Sequence, residues 1–306
     1  MKKIGIVLLS LILVSSMILA KTDIKMTGQL AVNYTSLTNN LIGQQGDFGL
    51  DAYESNTYLQ WQAKINDNVS LTAQLTDFFV LPVFEQIYVD YQPEFVNNLL
   101  VRLGEQEIPI GRHYTSLMSD PFYYLIFKSY ETGTVVDYTL DDLNLKTGVF
   151  TGSAAANDGK LKYVVQASYD LKSLMNEIDT WEIGANYFKD PDTTAFVSVF
   201  TQLKAYQMTA DVEYVYQNAA VHGAATTNDS TLNIGAAYQL TPELEAAARY
   251  ELVKYNAYEP KIITVGANYA LADSLMLQSE VILPQYDGYG SYTDAKYYKV
   301  GVKVNF

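Results

Sequence analysis

Residues able to do covalent chemistry are scarce in this chain, which has two histidines, His113 and His222, and no cysteine. Nucleophile–histidine–acid catalysis needs a histidine to take the nucleophile's proton. His222 sits in AAVHGAATTND, a run of small residues with no serine of the GxSxG kind beside it. Without cysteine, thiol nucleophiles, zinc-thiolate sites and disulfides are excluded. The neighbouring carboxylates Asp141-Asp142 fall between two alternating stretches, where solvated turn chemistry explains them better than acid–base work. No acidic stretch has EF-hand spacing. The expectation is a protein with no catalytic residue, no metal and no cofactor, and one that is not an enzyme.

Fixed charge at regular spacing is plentiful. Lys25, Lys64, Asp90, Arg102, Lys146, Lys160, Lys162, Glu182, Asp211, Glu213, Glu245, Arg249, Glu251, Glu280, Lys299 and Lys303 all occupy the polar half of an alternating pattern. Charges held on a rigid wall act without making bonds, by setting the sign and orientation of what passes them. Bases dominate at the C-terminal strand and the first eight; acids dominate the ninth to fifteenth, with Arg249 the exception. Opposed across a lumen, the two groups would make a transverse field, and neutralising Arg102 and Lys64 would raise cation preference. The simpler alternative is that the charges pair laterally and only solvate the wall.

The elements that hold these charges read as strands. Ile24, Met26, Gly28, Leu30, Val32 and Tyr34 alternate with polar residues, and the same period of two recurs to the end of the chain. About sixteen such stretches are expected, each close to the 9–11 residues of a tilted membrane strand. Their connections sort by parity. One series is tight: Asn66–Asn68, Pro93–Asn98, Asp141-Asp142, Lys204-Ala205, Thr241–Glu243 and Ala272-Asp273, with Asp170–Asp179 longer and carrying a helical turn. The other holds Ser36–Glu54, Glu107–Gly133, Gly152–Gly159, Asn218–Ser230 and Pro284–Asp294. Tyr34, Tyr91, Tyr138, Tyr163, Tyr169, Tyr187, Tyr238, Tyr269 and Tyr298 stand at strand ends on the apolar face, as an interfacial girdle would.

Residues 1–20, MKKIGIVLLSLILVSSMILA, have the charged start, apolar run and small final residue of a cleaved signal peptide. Residues 21–306 then form one domain. Its removal takes two lysines and no acids, moving the net charge from −14 to −16 and arguing against nucleic acid as a partner. No second apolar run reaches membrane-helix length. A membrane-embedded chain of this kind must be a closed β-barrel, which satisfies every backbone group internally. Charged side chains cannot fill a dry core without pairing, so the polar face lines water and the apolar face meets lipid. Acids at the long-loop rim (Asp47, Asp51, Glu54, Asp158, Asp190, Asp192, Asp287 and Asp294) would concentrate cations at the mouth.

The terminal YYKVGVKVNF, with Tyr298, Val300, Val302, Val304 and Phe306 on one face, resembles the signal that outer-membrane barrels present to their assembly machinery. VRLGEQEIPIGRHYTSLMSDPF, residues 101–122, resembles the segment before the third loop of porins related to the phosphate-selective type. Together with the alternation, these residues make the chain similar to the bacterial outer-membrane porins. The resemblance implies a transmembrane antiparallel up-and-down barrel of about sixteen strands. Its third loop, Glu107–Gly133, would fold into the lumen and narrow it, bringing Arg112, His113, Asp120, Lys128 and Glu131 to the constriction beside Lys25, Lys64, Arg102, Lys146, Lys162, Glu213, Arg249 and Glu251. The implied activity is passive diffusion of ions and small hydrophilic solutes across a bacterial outer membrane. The implied partners are outer-membrane lipid, the barrel assembly machinery and two further copies in a homotrimer, for which the small outward residues Ala246 and Ala248 leave room. An arginine-rich third loop and a lysine ladder are absent, so phosphate selectivity is not implied. A substrate-specific uptake channel and a non-conducting adhesin or structural barrel are the rival readings.

Overall fold

The computed structural model describes residues 23–39, 43–50, 58–76, 83–111, 116–117, 119–121, 130–151, 160–174, 178–190, 194–219, 227–254, 259–285 and 296–305. The leader assigned to residues 1–20 lies outside them. Seventeen strand segments join one antiparallel sheet: β1 (Asp23–Asn39), β2 (Gly43–Leu50), β3 (Tyr58–Asn66), β4 (Val69–Thr76), β5 (Val83–Tyr91), β6 (Leu99–Glu107), β7 (Tyr130–Leu140), β8 (Leu143–Thr151), β9 (Leu161–Asp170), β10 (Thr180–Asp190), β11 (Thr194–Ala205), β12 (Met208–Ala219), β13 (Thr227–Gln239), β14 (Leu244–Lys254), β15 (Lys261–Ala272), β16 (Leu275–Gln285) and β17 (Lys296–Asn305). β17 pairs with β1 from Gln29↔Asn305 to Thr38↔Lys296, which closes the sheet. β2 and β3 pair with the upper and lower parts of β1, so they form one stave, and the barrel has sixteen.

Closure leaves no edge with unpaired backbone groups, the condition a spanning sheet must meet in hydrocarbon. Among the described residues no helix is long and apolar enough to cross a membrane. The faces are sorted as the alternation predicts. Val165 and Val199 are 49% exposed on the outside, while Glu213 and Glu251 on the opposite face are 2% and 1% exposed. A water-soluble core would show the reverse.

Turn chemistry sets the register. In the turn Asp67-Asn68 the Asn66 side chain accepts the Asn68 N–H at 2.9 Å, and Asp141 takes φ 49° in the two-residue turn from β7 to β8. Both uses suit Asx residues, which tolerate the left-handed region and bond their own backbone. The short helical turn expected in Asp170–Asp179 is present as a 3₁₀ turn, Lys172–Leu174.

Several boundaries differ from the sequence reading. β7 begins at Tyr130, which puts Glu131 on a strand and not in the loop Glu107–Gly133, and β16 runs to Gln285, past the expected start of the loop at Pro284. Within the expected loop Ser36–Glu54, Ser36–Asn39 and Gly43–Leu50 are strand: β1 runs to Asn39 and β2 pairs with it from Val32↔Leu50 to Asn39↔Gly43. The turn placed at Lys204-Ala205 lies at Tyr206-Gln207, because cross-strand pairing continues to Ala205↔Met208. Likewise Asn218, Ala219 and Thr227–Ser230 of the expected loop Asn218–Ser230 are strand, since β12 and β13 stay paired as far as Ala219↔Thr227.

The lumen is not lined by polar residues alone. Val135, Phe150, Val164, Phe188, Phe196 and Val215 form a buried apolar cluster on the inner face of β7–β12, joined by Ile108 from the segment after β6, with Ile110 packed against it. Aromatic rings occupy space that glycines leave free. A Cβ at Gly133 would come 2.4 Å from Phe150, and one at Gly184 would come 2.4 Å from Phe200.

Candidate functional site

The segment after β6 crosses the inner wall. Ile108 and Ile110 rest on the apolar cluster just described, and Leu117 packs with Ala237 of β13 and Ala247 of β14. From there main-chain groups meet polar side chains of β14–β16. The Arg249 guanidinium donates to the Ser119 carbonyl (2.7 Å), the Ser119 hydroxyl (3.1 Å) and the Asp120 carbonyl (3.0 Å). Its Nε donates to Glu251 at 2.8 Å. The Ser119 N–H donates to Glu280 at 3.0 Å, and the Asn268 amide donates to the Ser116 carbonyl at 2.5 Å. A buried guanidinium that satisfies loop carbonyls binds strongly, because every partner would otherwise lose water without replacement.

Below this latch the inner face is acidic and dry. Asp211, Glu213, Glu251 and Glu280 are each under 8% exposed. Glu213 accepts from Ser198 Oγ at 2.8 Å, and Ser198 in turn accepts from Asn186 at 2.8 Å. Burial of this extent keeps solvent off these carboxylates.

The basic residues of the other half have lateral partners. Arg102 donates from Nε and an Nη to the two oxygens of Asp90, at 2.8 and 3.1 Å, and its guanidinium lies 3.9 Å above the Tyr88 ring. Lys146 pairs with Asp137 at 3.3 Å. Lys162 bridges Glu131 and Asp190. Lys64 pairs with Asp67 at 2.6 Å in the tight turn; that hydrogen bond, then the lysine's charge, holds the Asp67 carboxyl below its ordinary range. Register explains two of these pairs, since Asp90 sits directly opposite Arg102 and Asp137 opposite Lys146.

The structure thus brings together two groups of the expected site residues and separates them from each other. Arg249, Glu251 and Asp120 share the latch, the last through its carbonyl rather than its carboxylate. Glu213 lies on the covered wall. Lys25, Lys64 and Arg102 face the open side, Lys146 of β8 stands at the margin of the covered half, and Lys162 with Glu131 stands near the loop's exit at β7. Arg112, His113 and Lys128 lie outside the described residues, as do His222 and Phe306. Tyr298, Val300 and Val302 are exposed on the outer face of β17, and Val304 is half-buried on the same face. Asp190, read from sequence as a mouth residue, is the last residue of β10, at the long-loop end, and pairs with Lys162. The simple transverse field is corrected accordingly: the basic half carries its own counter-charges, and the acidic half is screened from the lumen by the loop.

Sequence reasoning missed Ser119, Asn268, Asp137 and the inward aromatics. Phe150, Phe188, Phe196 and Phe200 stand on the polar parity of their strands, and that misplacement was a usable signal for something packed inside.

No family model matches the chain, and no curated protein does. Solved structures do. The outer-membrane-expressed OmpT of Vibrio cholerae aligns with TM-score 0.70 at 11% identity over 93% of this chain and 98% of its own. The outer membrane channel DcaP of Acinetobacter baumannii aligns with TM-score 0.70 at 13% identity, covering 94% and 98%. An anion-selective porin from Comamonas acidovorans gives 0.65 at 12% identity over 94% of this chain and all of the other. The chain has the sixteen-stranded porin fold. In that porin fold the latched segment is the third long connection, between β6 and β7, and its anchor is the inner face of β14–β16. At these identities the likeness concerns the backbone path, and the residues of the latch are this chain's own.

Proposed function

We propose that the chain forms a water-filled channel in a bacterial outer membrane, through which ions and small hydrophilic solutes diffuse passively. One observation carries the reading: a closed sixteen-stave barrel whose exposed side chains are apolar and whose charges point inward. Lipid is the solvent that suits the first face, and enclosed water suits the second. Sixteen staves leave room for an aqueous path beside the loop. Residues 1–20 direct export and are then removed. The alternating C-terminal strand engages the assembly machinery through Tyr298, Val300, Val302, Val304 and Phe306. Three copies associate, with the small outward residues Ala246 and Ala248 of β14 at a subunit contact. Support for association comes from a neighbour described as a trimer form of V. cholerae OmpT, which aligns with TM-score 0.68 at 12% identity.

The test is conductance of the refolded mature chain in a planar lipid bilayer, with potassium chloride and then with a bulky anion or an added sugar. Stepwise, ohmic current that falls as the solute grows is the expected result. A barrel that folds and inserts but carries no current would refute the channel reading and favour an adhesin or structural role.

A further inference from the structure

We infer that the channel favours anions, although the chain as a whole has a net charge of −14. The preference presupposes the channel function proposed above and follows from how the two halves of the wall meet the lumen. The described parts of the crossing segment meet β7–β12 through Ile108 and Ile110, β13 and β14 through Leu117, and β14–β16 through Ser116, Ser119 and Asp120. The space left beside Leu117, Asp211 and Arg249 is about 10 Å³, no more than a single water would need. The carboxylates below it, Asp211, Glu213, Glu251 and Glu280, are buried. Permeating ions do not touch them.

The opposite wall is open. At its short-turn rim, β1 and β3–β6 enclose a cavity of about 490 Å³ whose charged lining is Lys25, Lys64, Asp23, Asp67 and Asp90. By the alternation, Lys25 of β1, Lys64 of β3, Arg102 of β6 and Lys303 of β17 point to this side, while Lys299 of β17 sits directly opposite Glu280 of β16. Carboxylates of the same wall stand further back or at the rim. Arg102 is 32% exposed against 14% for its partner Asp90. Lys146, at the margin of the covered half, is 34% exposed against 24% for Asp137. Glu85 accepts a hydrogen bond from Gln74 at 3.2 Å, while Asp23 and Asp67 sit at the strand end and in the turn. At the rim Lys64 and the more exposed Asp67 offset each other; deeper in, a solute on the open path meets Arg102 in front of Asp90, with Lys25 and Lys303 on the neighbouring staves. Charges behind the loop are more weakly felt, since salt in the lumen screens over a Debye length of about 10 Å at 0.1 M.

The reversal potential of the refolded full-length barrel in a potassium chloride gradient tests this. Chloride is expected to be the more permeant ion. Lys25→Gln with Lys303→Gln should shift the permeability ratio toward potassium by roughly two-fold or more, while Asp211→Asn on the covered wall should leave it in place. Because the chain has no cysteine, Lys25→Cys gives a second readout within one folded protein. A negatively charged methanethiosulfonate should drive the ratio toward potassium, and a positively charged one should restore the parent value. Potassium preference in the parent, indifference to either reagent, or an Asp211→Asn shift as large as that of the lysine pair would overturn the inference. Absence of any current would instead overturn the channel reading, and this preference with it.

Discussion

Arg249 is the single side chain on which the position of the crossing segment most depends. It gives that segment three hydrogen bonds, two to Ser119 and one to Asp120. A hydrogen bond from a charged donor contributes about 1.5 kcal/mol at the low end, so the three together hold the segment by roughly 4 kcal/mol. That corresponds to a ~10³-fold change in the ratio of docked to released segment. Arg249→Met alone is a poor probe, because it also strips Glu251 of a buried counter-charge, a loss that costs about 3–5 kcal/mol by itself. Arg249→Met with Glu251→Gln removes latch and charge together. Single-channel recording of this double variant should show strong open-channel noise, with excursions to lower conductance as the segment swings into the open path. Its reversal potential should also move toward potassium as Asp211 and Glu213 are uncovered. Quiet channels with the parent's conductance and selectivity would refute the latch, and would mean that Leu117 and the Glu280–Ser119 bond suffice.

Other perturbations test the wall itself. Phe150 is fully buried inside the lumen, so Phe150→Ala should lower barrel stability by about 3 kcal/mol, read from urea titration in detergent micelles. Gly104 has φ +136°, and a Cβ there would come 2.3 Å from the Ile87 carbonyl oxygen; Gly104→Ala should cost about 2 kcal/mol or more and displace β6 from β5, seen as reduced yield of the heat-modifiable folded band. Val199→Arg places a charge on the outward face of β11 and should destabilise insertion by about 2–4 kcal/mol near the bilayer centre, measured by refolding into vesicles. A soluble, detergent-free Val199→Arg variant of unchanged stability would contradict the orientation of the faces.

How much of this was legible depended on whether the information was local. The alternation in Leu161–Asp170 or Leu244–Lys254 needs only neighbouring residues, and strands, faces and most tight turns followed from it. Gly43–Leu50 was missed because GQQGDFGL alternates weakly and owes its strand to pairing with the upper part of β1. The counter-charges of Arg102 and Lys146 were missed for a related reason. Asp90 and Asp137 become partners only once the register sets them opposite. The latch was beyond reach, since its acceptors are main-chain carbonyls of Ser116, Ser119 and Asp120, which no residue type encodes. Inward phenylalanines were in plain view and were passed over because the polar parity was read for charge alone.

Rings lying over glycines make the inner wall a set of matched halves. Gly184 of β10 is empty because Phe200 of β11 fills it, and Gly133 and Gly148 serve Phe150 in the same way. Neither member of such a couple can drift alone: a methyl group on the glycine collides, and a shortened ring leaves a hole. Bore width on this flank is therefore inherited in jumps, by exchanging both members at once, while lysines on the facing flank remain free to be traded one at a time. Evolution or design can edit the charge of the second flank without disturbing the calibre kept by the first.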